Sequence, residues 1–353
     1  MSVTTEMTRW CVGGDFEIDA VRTNGPERLV DLLGGTGSFT ASGRSAFGRV
    51  LAHLKAIGVD QIYVPSFLCE SLLQPIEALG MEGAFYVVSP DGSTSDRPRA
   101  GAVLVIHYFG WTNPLADELA ADPEVILIED FAHVLPGSRK PVPGANRYVV
   151  TSLRKFGPVP LGGWCSIGHE STQVSDGMEA AYLRSIQARL QRGAYLADRS
   201  LAVDESIESN YRRELSDVET FLDDHSVFSG VPEEALGLAA SLPWERIGHR
   251  RRENWERLNQ ALSPRVRRLH DELPPAVVPL GFVIRDANRD RLRRRLATRR
   301  VFCPVHWRTP GAVPDQVVEM NWLPREGLTL PIDQRYDASD IDRLASEVER
   351  ASE

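Results

Sequence analysis

Between about residues 40 and 170, short apolar runs alternate with stretches of helical periodicity, and this alternation narrows the possible folds more than any other feature of the chain. The runs Gln61–Val64, Ala84–Val88, Val103–His107, Val125–Ile128, Arg147–Thr151 and Trp164–Ile167 read as strands. Between the strands, Phe47, Val50, Leu51 and Leu54 recur at i, i+3, i+4 and i+7, and Gly58 can end that helix in a left-handed cap. Leu72, Leu73, Ile76 and Leu79 repeat in the same way before Gly80. Strands alternating with helices predict an open, mostly parallel α/β sheet flanked by helices. Ligands of such sheets gather at the C-terminal ends of the strands.

The rest of the chain reads differently. Residues 176–262 are helical in pattern, with a polar loop expected near 203–210. From residue 277 a smaller α/β region is expected: a strand over Val277–Ile284, a helix over 287–299, a strand near Val301–Cys303 and a last helix carrying Ile341, Leu344 and Val348. A chain of 353 residues exceeds one typical core. The expected division is a large domain over 1–240, with 1–40 as an N-terminal extension, and a small C-terminal domain over 241–353. A net charge of -9 argues against a general nucleic-acid binder. The basic runs His249–Arg252 and Arg291–Arg300 are interleaved with apolar residues such as Leu292 and Leu296, and read as solvated helix faces. Cys11, Cys69, Cys165 and Cys303 form no close pair, so neither a zinc site nor a disulfide framework is expected, and a reducing cytoplasm is the simplest home. The polar start of the chain lacks the order of a signal peptide, and no apolar run reaches the ~18 residues of a membrane span.

Three segments carry chemistry. Ser42-Gly43-Arg44-Ser45-Ala46 opens the first amphipathic helix, with Ser42 as a fitting N-cap and Gly43 permitting a tight turn. Free N–H groups and the helix dipole there suit a phosphate, and Arg44 or Ser45 can add a donor. A plain capped helix accounts for the same residues. The run Gly34-Gly35-Thr36-Gly37 does not fit the dinucleotide pattern GxGxxG. In the second segment, Asp130 ends the apolar run Ile126–Ile128 and is followed by Phe131-Ala132-His133. A buried carboxylate there is costly without a cation, and a protonated pyridine nitrogen is one such partner. Each unit by which the carboxylate raises that nitrogen's pKa is worth about 1.4 kcal/mol, and the positive ring acts as an electron sink. Asp130 as an N-cap and His133 as a core histidine are the plainer alternatives. In the third segment, Val149–Ser152 runs into a turn that presents Lys155 ahead of Gly162-Gly163. Such a lysine can form a Schiff base with an aldehyde and later shuttle a proton. The hydroxyls of Thr151 and Ser152 are placed to reach a phosphate, although a lone loop lysine is most often a surface residue.

Taken together, Ser42–Ala46, Val64–Phe67, His107–Gly110, Ile128–His133 and Ser152–Lys155 with Gly162-Gly163 resemble the DegT-like family of fold-type-I pyridoxal-5′-phosphate (PLP) enzymes, the sugar aminotransferases and their relatives. The match in order and spacing covers about residues 40–170. Asn210-Tyr211-Arg212, Cys303–Trp307 and Leu328–Ile332 fit more loosely. The resemblance implies that Lys155 is the Schiff-base lysine, that Asp130 pairs with the pyridine nitrogen and that His133 stands near the ring oxygen. It also implies that Gly43, Arg44, Ser45 and Ser152 surround the phosphate, and that Asn210 reaches the phosphate of the partner subunit's cofactor in a homodimer. Arg44 replaces a common threonine, Leu68-Cys69 lies where an aromatic residue often stacks on the ring, Val150 replaces a hydroxyl and Leu161 an acid. The expected activity is transfer of an amino group from an amino-acid donor to a keto or aldehyde group of a small acceptor, sugar-like or from secondary metabolism. The same Lys155 and Asp130 would serve a PLP lyase or a bond-forming enzyme acting on an amino acid. A non-catalytic regulatory protein on this scaffold is the alternative from another class.

Overall fold

The computed structural model describes residues 7–18, 27–140, 142, 144–168, 173–314 and 321–352. After a two-residue strand, β1 (Val12–Gly13), the chain builds a seven-stranded sheet. Its strands are β2 (Ser38–Thr40), β3 (Gln61–Pro65), β4 (Glu82–Tyr86), β5 (Gly101–Ile106), β6 (Val125–Asp130), β7 (Arg147–Ser152) and β8 (Gly163–Cys165), in the spatial order β2-β8-β7-β6-β5-β3-β4. β4, β3, β5, β6 and β7 run parallel, whereas β8 is antiparallel to both β7 and β2. Every residue of β5 but Gly101 is buried, as expected for a strand covered on both faces. Asp130 is in register with Ile106 on one side and Val150 on the other. The residues following β5, β6 and β7 therefore emerge at one edge of the sheet.

The helices that cover the sheet follow from their apolar stripes. After α1 (Glu27–Leu32), helix α2 (Gly43–Ala56) buries Phe47, Val50, Leu51 and Leu54 completely, and Gly58 follows it at φ +91°. The short helices α3 (Leu73–Ala78) and α4 (Leu115–Ala120) complete the cover between strands. Four longer helices come next: α5 (Met178–Leu196), α6 (Glu205–His225), α7 (Glu233–Ser241) and α8 (Trp244–Ala261). The expected loop near 203–210 is instead the start of α6. Asp204 caps that helix through Oδ1, which accepts from the amides of Ser206 (3.0 Å) and Ile207 (3.2 Å). The polar run after it is a capped and solvated first turn, and only Tyr211, Leu215, Val218 and Leu222 form a buried apolar stripe.

The C-terminal region has a three-stranded antiparallel sheet, with β10 (Phe282–Arg285) between β9 (Arg267–Arg268) and β12 (Gly327–Leu330). The expected strand over 277–284 begins only at Phe282. Pro279 lacks a donor for a ladder, and Leu280 donates instead to the carbonyl of Phe109. Helix α9 (Arg289–Thr298) leads to β11 (Val301–Phe302), and a helix over Ala338–Ser352 ends the described chain. β1 pairs in parallel with β11. Trp10 and Val12 accordingly share one core with Leu258, Leu292, Val301, Ile341 and Val348. The basic runs are solvated only in part. Arg251, Arg289 and Arg300 are buried, and Arg300 donates to the carbonyl of Trp10 (3.0 Å) and to Glu208. Among the described residues no helix is long and apolar enough to cross a membrane.

Candidate active site

Two glycines bring the first turn of α2 against the end of β7. Gly162 lies at φ +147° and its amide donates to the Ala41 carbonyl at 2.8 Å. A Cβ on Gly163 would sit 2.1 Å from the Ser42 carbonyl oxygen, so only glycine permits this approach. Ser42 caps α2 by accepting from the Ser45 amide at 3.2 Å. The amides of Gly43 and Arg44 fall in the turn that has no intrahelical partner. At Gly43 a Cβ would meet the Cβ of Ser152 at 3.2 Å, and the Ser152 hydroxyl makes no bond among the described residues. These groups form one end of a cavity of about 330 Å³.

Not every expected phosphate group faces that end. Ser45 is wholly buried and does not line the cavity; its hydroxyl donates to the Ser226 carbonyl, which fastens α2 to the end of α6. Thr151 is spent on the Phe131 carbonyl (3.1 Å), which leaves Ser152 as the hydroxyl at the cavity. Arg44 lines the cavity, but its terminal nitrogens hold Gln74, the Leu222 carbonyl (3.3 Å) and Asp223 (2.9 Å). Arg154, to which the sequence assigns nothing, is bound in the same way to Glu219 of α6. The Nε atoms of both arginines are buried and unpartnered.

The other end of the cavity is formed where β6 stops. Asp130 Oδ1 accepts from the Ala132 amide at 2.7 Å. Burial pushes the pKa of Asp130 up to about 6, against the opposing pull of that amide and of the Lys155 ammonium. His133 Nδ1 accepts from the Phe109 amide at 3.3 Å, which puts the ring proton on Nε2. Burial, His306 and Lys155 hold His133 well below the usual histidine range, so it is neutral. Its Nε2 is buried without a partner. Lys155 ends a single turn of 3-10 helix after β7, is half-buried, and makes no hydrogen bond among the described residues. It also borders a second cavity, of about 540 Å³, on the side of the C-terminal region.

Leu68 is buried in the core and Cys69 reaches the cavity, so neither supplies an aromatic face. Trp307 does: it lines the cavity and stacks on His133 at 4.9 Å and 27°. It belongs to the loosely matching segment Cys303–Trp307, but the sequence assigns it no role, because it arrives from the C-terminal region. Asn210 does not line the cavity of its own subunit. It lies on α6 nine residues before Glu219, about 13 Å along the axis. Its amide donates to Gln191 (3.0 Å) and its oxygen accepts from Arg213 (2.9 Å).

No protein-family model matches the chain, and no curated protein sequence is similar to it. Solved structures are. The aminotransferase TlmJ from Streptoalloteichus hindustanus is similar at 18% identity and a TM-score of 0.62, over 97% of this chain and 99% of that one. A DegT DnrJ EryC1 StrS aminotransferase from Brucella abortus is similar at 16% and 0.61, over 93% and 91%. Spr1654 from Streptococcus pneumoniae, in its PLP form, is similar at 12% and 0.64, over 97% and 99%. The chain therefore has the fold of these aminotransferases over nearly its whole length.

Proposed function

We propose that this protein is a PLP-dependent aminotransferase in which Lys155 carries the cofactor. One observation supports this reading above the rest. Among the described residues, five buried side-chain donor nitrogens lack a partner, and three of them, Arg44 Nε, Arg154 Nε and His133 Nε2, belong to residues lining the cavity below Lys155. Buried donors are ordinarily satisfied, so this cavity fits a ligand with acceptors at both ends. PLP has a phosphate for the Gly43 end, a ring oxygen for His133 and a basic ring nitrogen for Asp130. A buried carboxylate without a cation of its own, as Asp130 is here, suits that last partner.

Bound there, PLP supplies an aldehyde that accepts an amine and a cationic ring that takes up electrons released at a substrate carbon. The chain's own residues do the rest. The Gly43 and Arg44 amides and the Ser152 hydroxyl would hold the phosphate, with Arg44 and Arg154, which line the same cavity, adding positive charge. The Asp130 carboxylate would keep a proton on the ring nitrogen, and the unpartnered His133 Nε2–H would be the donor for the ring oxygen. Trp307, stacked on His133, keeps water from that end of the cavity. Lys155 Nζ, which has no competing hydrogen bond, is free to take a proton from the substrate carbon and return it. The second cavity on the same lysine gives donor and acceptor a place to enter.

The acceptor in this reading is a small keto or aldehyde compound, sugar-like or from secondary metabolism, and the donor an amino acid. We further propose a homodimer in which Asn210 approaches the partner subunit's cofactor, and a reducing cytoplasm as the setting for four free cysteines. Borohydride treatment of the PLP-loaded protein tests the central claim. Mass spectrometry should find the label on Lys155, and Lys155→Ala should neither take the label nor turn over. A Lys155→Ala protein that is still labelled at the site, or still active, would overturn the proposal.

A further inference from the structure

On the face of the sheet opposite the cavity lies a buried polar group that the chemistry at Lys155 does not use. Successive residues of a strand point to opposite faces, so Glu129 turns away from the cavity that Asp130 lines. Glu129 and His107, the residue just past β5, are both wholly buried. His107 Nδ1 accepts from the Asn113 amide at 3.0 Å, which puts the ring proton on Nε2. That Nε2–H donates to Glu129 Oε2 at 3.0 Å, and Arg147 donates to Oε1 of the same carboxylate at 2.5 Å. Burial holds His107 below the usual histidine range despite the opposing pull of Glu129, so the ring is neutral and Nδ1 stays an acceptor.

The bond to Asn113 fastens the turn that follows β5. Asn113 Nδ2 donates back to the Ile106 carbonyl (3.3 Å), so the segment from His107 to Asn113 is closed at its base by two bonds. Inside it Phe109 lies at φ +56° and ψ +15°, a left-handed conformation that a bulky residue keeps only where its surroundings hold it. Its amide donates to His133 Nδ1 (3.3 Å), and its ring lies 5.6 Å from the His133 ring. The outer side of the turn is held by the Leu280 amide on the Phe109 carbonyl (2.9 Å) and by the Tyr108 hydroxyl on the Phe67 carbonyl (2.6 Å). His107 is the anchor on the side of the sheet. Among the described residues, His133 has this one hydrogen bond at Nδ1 and none at Nε2. The Phe109 amide is therefore the contact that decides which nitrogen of His133 carries the proton.

We propose that His107 is a positioning residue for His133: oriented by Glu129, it closes the turn through the Asn113 amide, and the closed turn keeps the proton of His133 on Nε2, the nitrogen left unpartnered at the cavity. The inference deepens the aminotransferase reading and rests on it only for the atom that Nε2–H meets there, the ring oxygen of the cofactor.

Two substitutions separate the two ring nitrogens of His107. In His107→Asn the side-chain oxygen stands near the place of Nδ1 and can accept from the Asn113 amide. In His107→Gln the side-chain nitrogen stands near the place of Nε2 and can donate to Glu129, but the amide of the buried Asn113 loses its acceptor, and the turn must shift to find another. Both remove a ring that lies edge-on to Phe131 at 4.6 Å, so both should lower the melting temperature, and the difference between them reads the positioning role. Ring-nitrogen NMR shifts of histidine-labelled, cofactor-free protein report the tautomer, with the His133 signals identified by their loss in His133→Gln. Wild type and His107→Asn should hold His133 in the Nε2–H form. His107→Gln should populate the Nδ1–H form and retain PLP about tenfold or more less tightly than His107→Asn in an absorbance titration. His107→Leu, which also lacks the acceptor, takes its place should the glutamine variant not fold. The inference is overturned if wild-type His133 carries its proton on Nδ1, or if the variant without the acceptor matches His107→Asn in tautomer. A tautomer that follows the acceptor at position 107 in a protein that takes up no PLP would remove the aminotransferase reading and leave the link between His107 and His133 in place.

Discussion

Replacing Asp130 by asparagine should stabilise the cofactor-free protein while weakening the holoenzyme. Burial raises the Asp130 pKa from 3.8 to about 6. Between those values the folded protein holds a proton that the unfolded chain has released. Stability therefore falls as pH rises through that window. At about 1.4 kcal/mol per unit, the two-unit difference costs the cofactor-free protein about 3 kcal/mol at pH 7 and above. Asparagine has nothing to ionise, and its side-chain oxygen can keep accepting from the Ala132 amide. The stability gap between Asp130→Asn and wild type should be near zero at pH 4, grow through pH 4–6 and level off near 3 kcal/mol by pH 7. Urea unfolding of both cofactor-free proteins across this range measures it. Saturating PLP should reverse the order, because a protonated ring nitrogen gives the carboxylate its missing cation and leaves the asparagine without one. A gap that does not grow with pH would refute the claim that Asp130 is an uncompensated buried acid. A gap that grows but survives added PLP would refute its pairing with the ring.

The other outcomes concern single contacts. His133→Ala removes the free Nε2–H donor and should weaken PLP retention tenfold or more, the equivalent of roughly 1.5–3 kcal/mol for a bond to a charged acceptor; His133→Gln, which keeps a donor, should recover much of it in an absorbance titration. Gly163→Ala puts a Cβ 2.1 Å from the Ser42 carbonyl oxygen and should lower the melting temperature and cofactor affinity together, since α2 must back away from β7. Asn210→Ala should leave the subunit's own cavity intact and weaken PLP retention only in a dimer, so light scattering combined with a PLP titration checks the cross-subunit contact; a monomeric, fully active wild type rules it out.

What the sequence disclosed depended on how far apart the cooperating residues lie. β5 and β6 carry continuous apolar runs and β7 the buried pair Val149-Val150, so they stand out, and Asp130 and Lys155 are legible because each follows such a run within a few residues. β2 does not stand out: its three residues Ser38-Phe39-Thr40 are a strand only because β8 pairs with them. The start of α6 looked like a loop because a capped, solvated turn and a polar loop share one composition, and the buried stripe that separates them begins only at Tyr211. The site divides along the same line. Gly43, Asp130, His133, Ser152 and Lys155 follow strands or open a helix, where local order fixes their place. Ser45 and Arg44 belong to the same local motif as Gly43, yet their side chains turn to α6, a partner some 180 residues away. A basic run shows the limit most sharply. Arg289, Arg293 and Arg300 have identical side chains within twelve residues, yet one is buried on the Gly327 carbonyl, one presents free nitrogens to a cavity and one is paired with Glu208. Helical periodicity gives the face on which an arginine starts, but a side chain this long is placed by whatever carbonyl or carboxylate the tertiary fold brings within its reach. For α9 that means the Cys303 carbonyl, and it is this contact, invisible in the sequence, that turns a stretch resembling a solvated surface toward the reactive lysine.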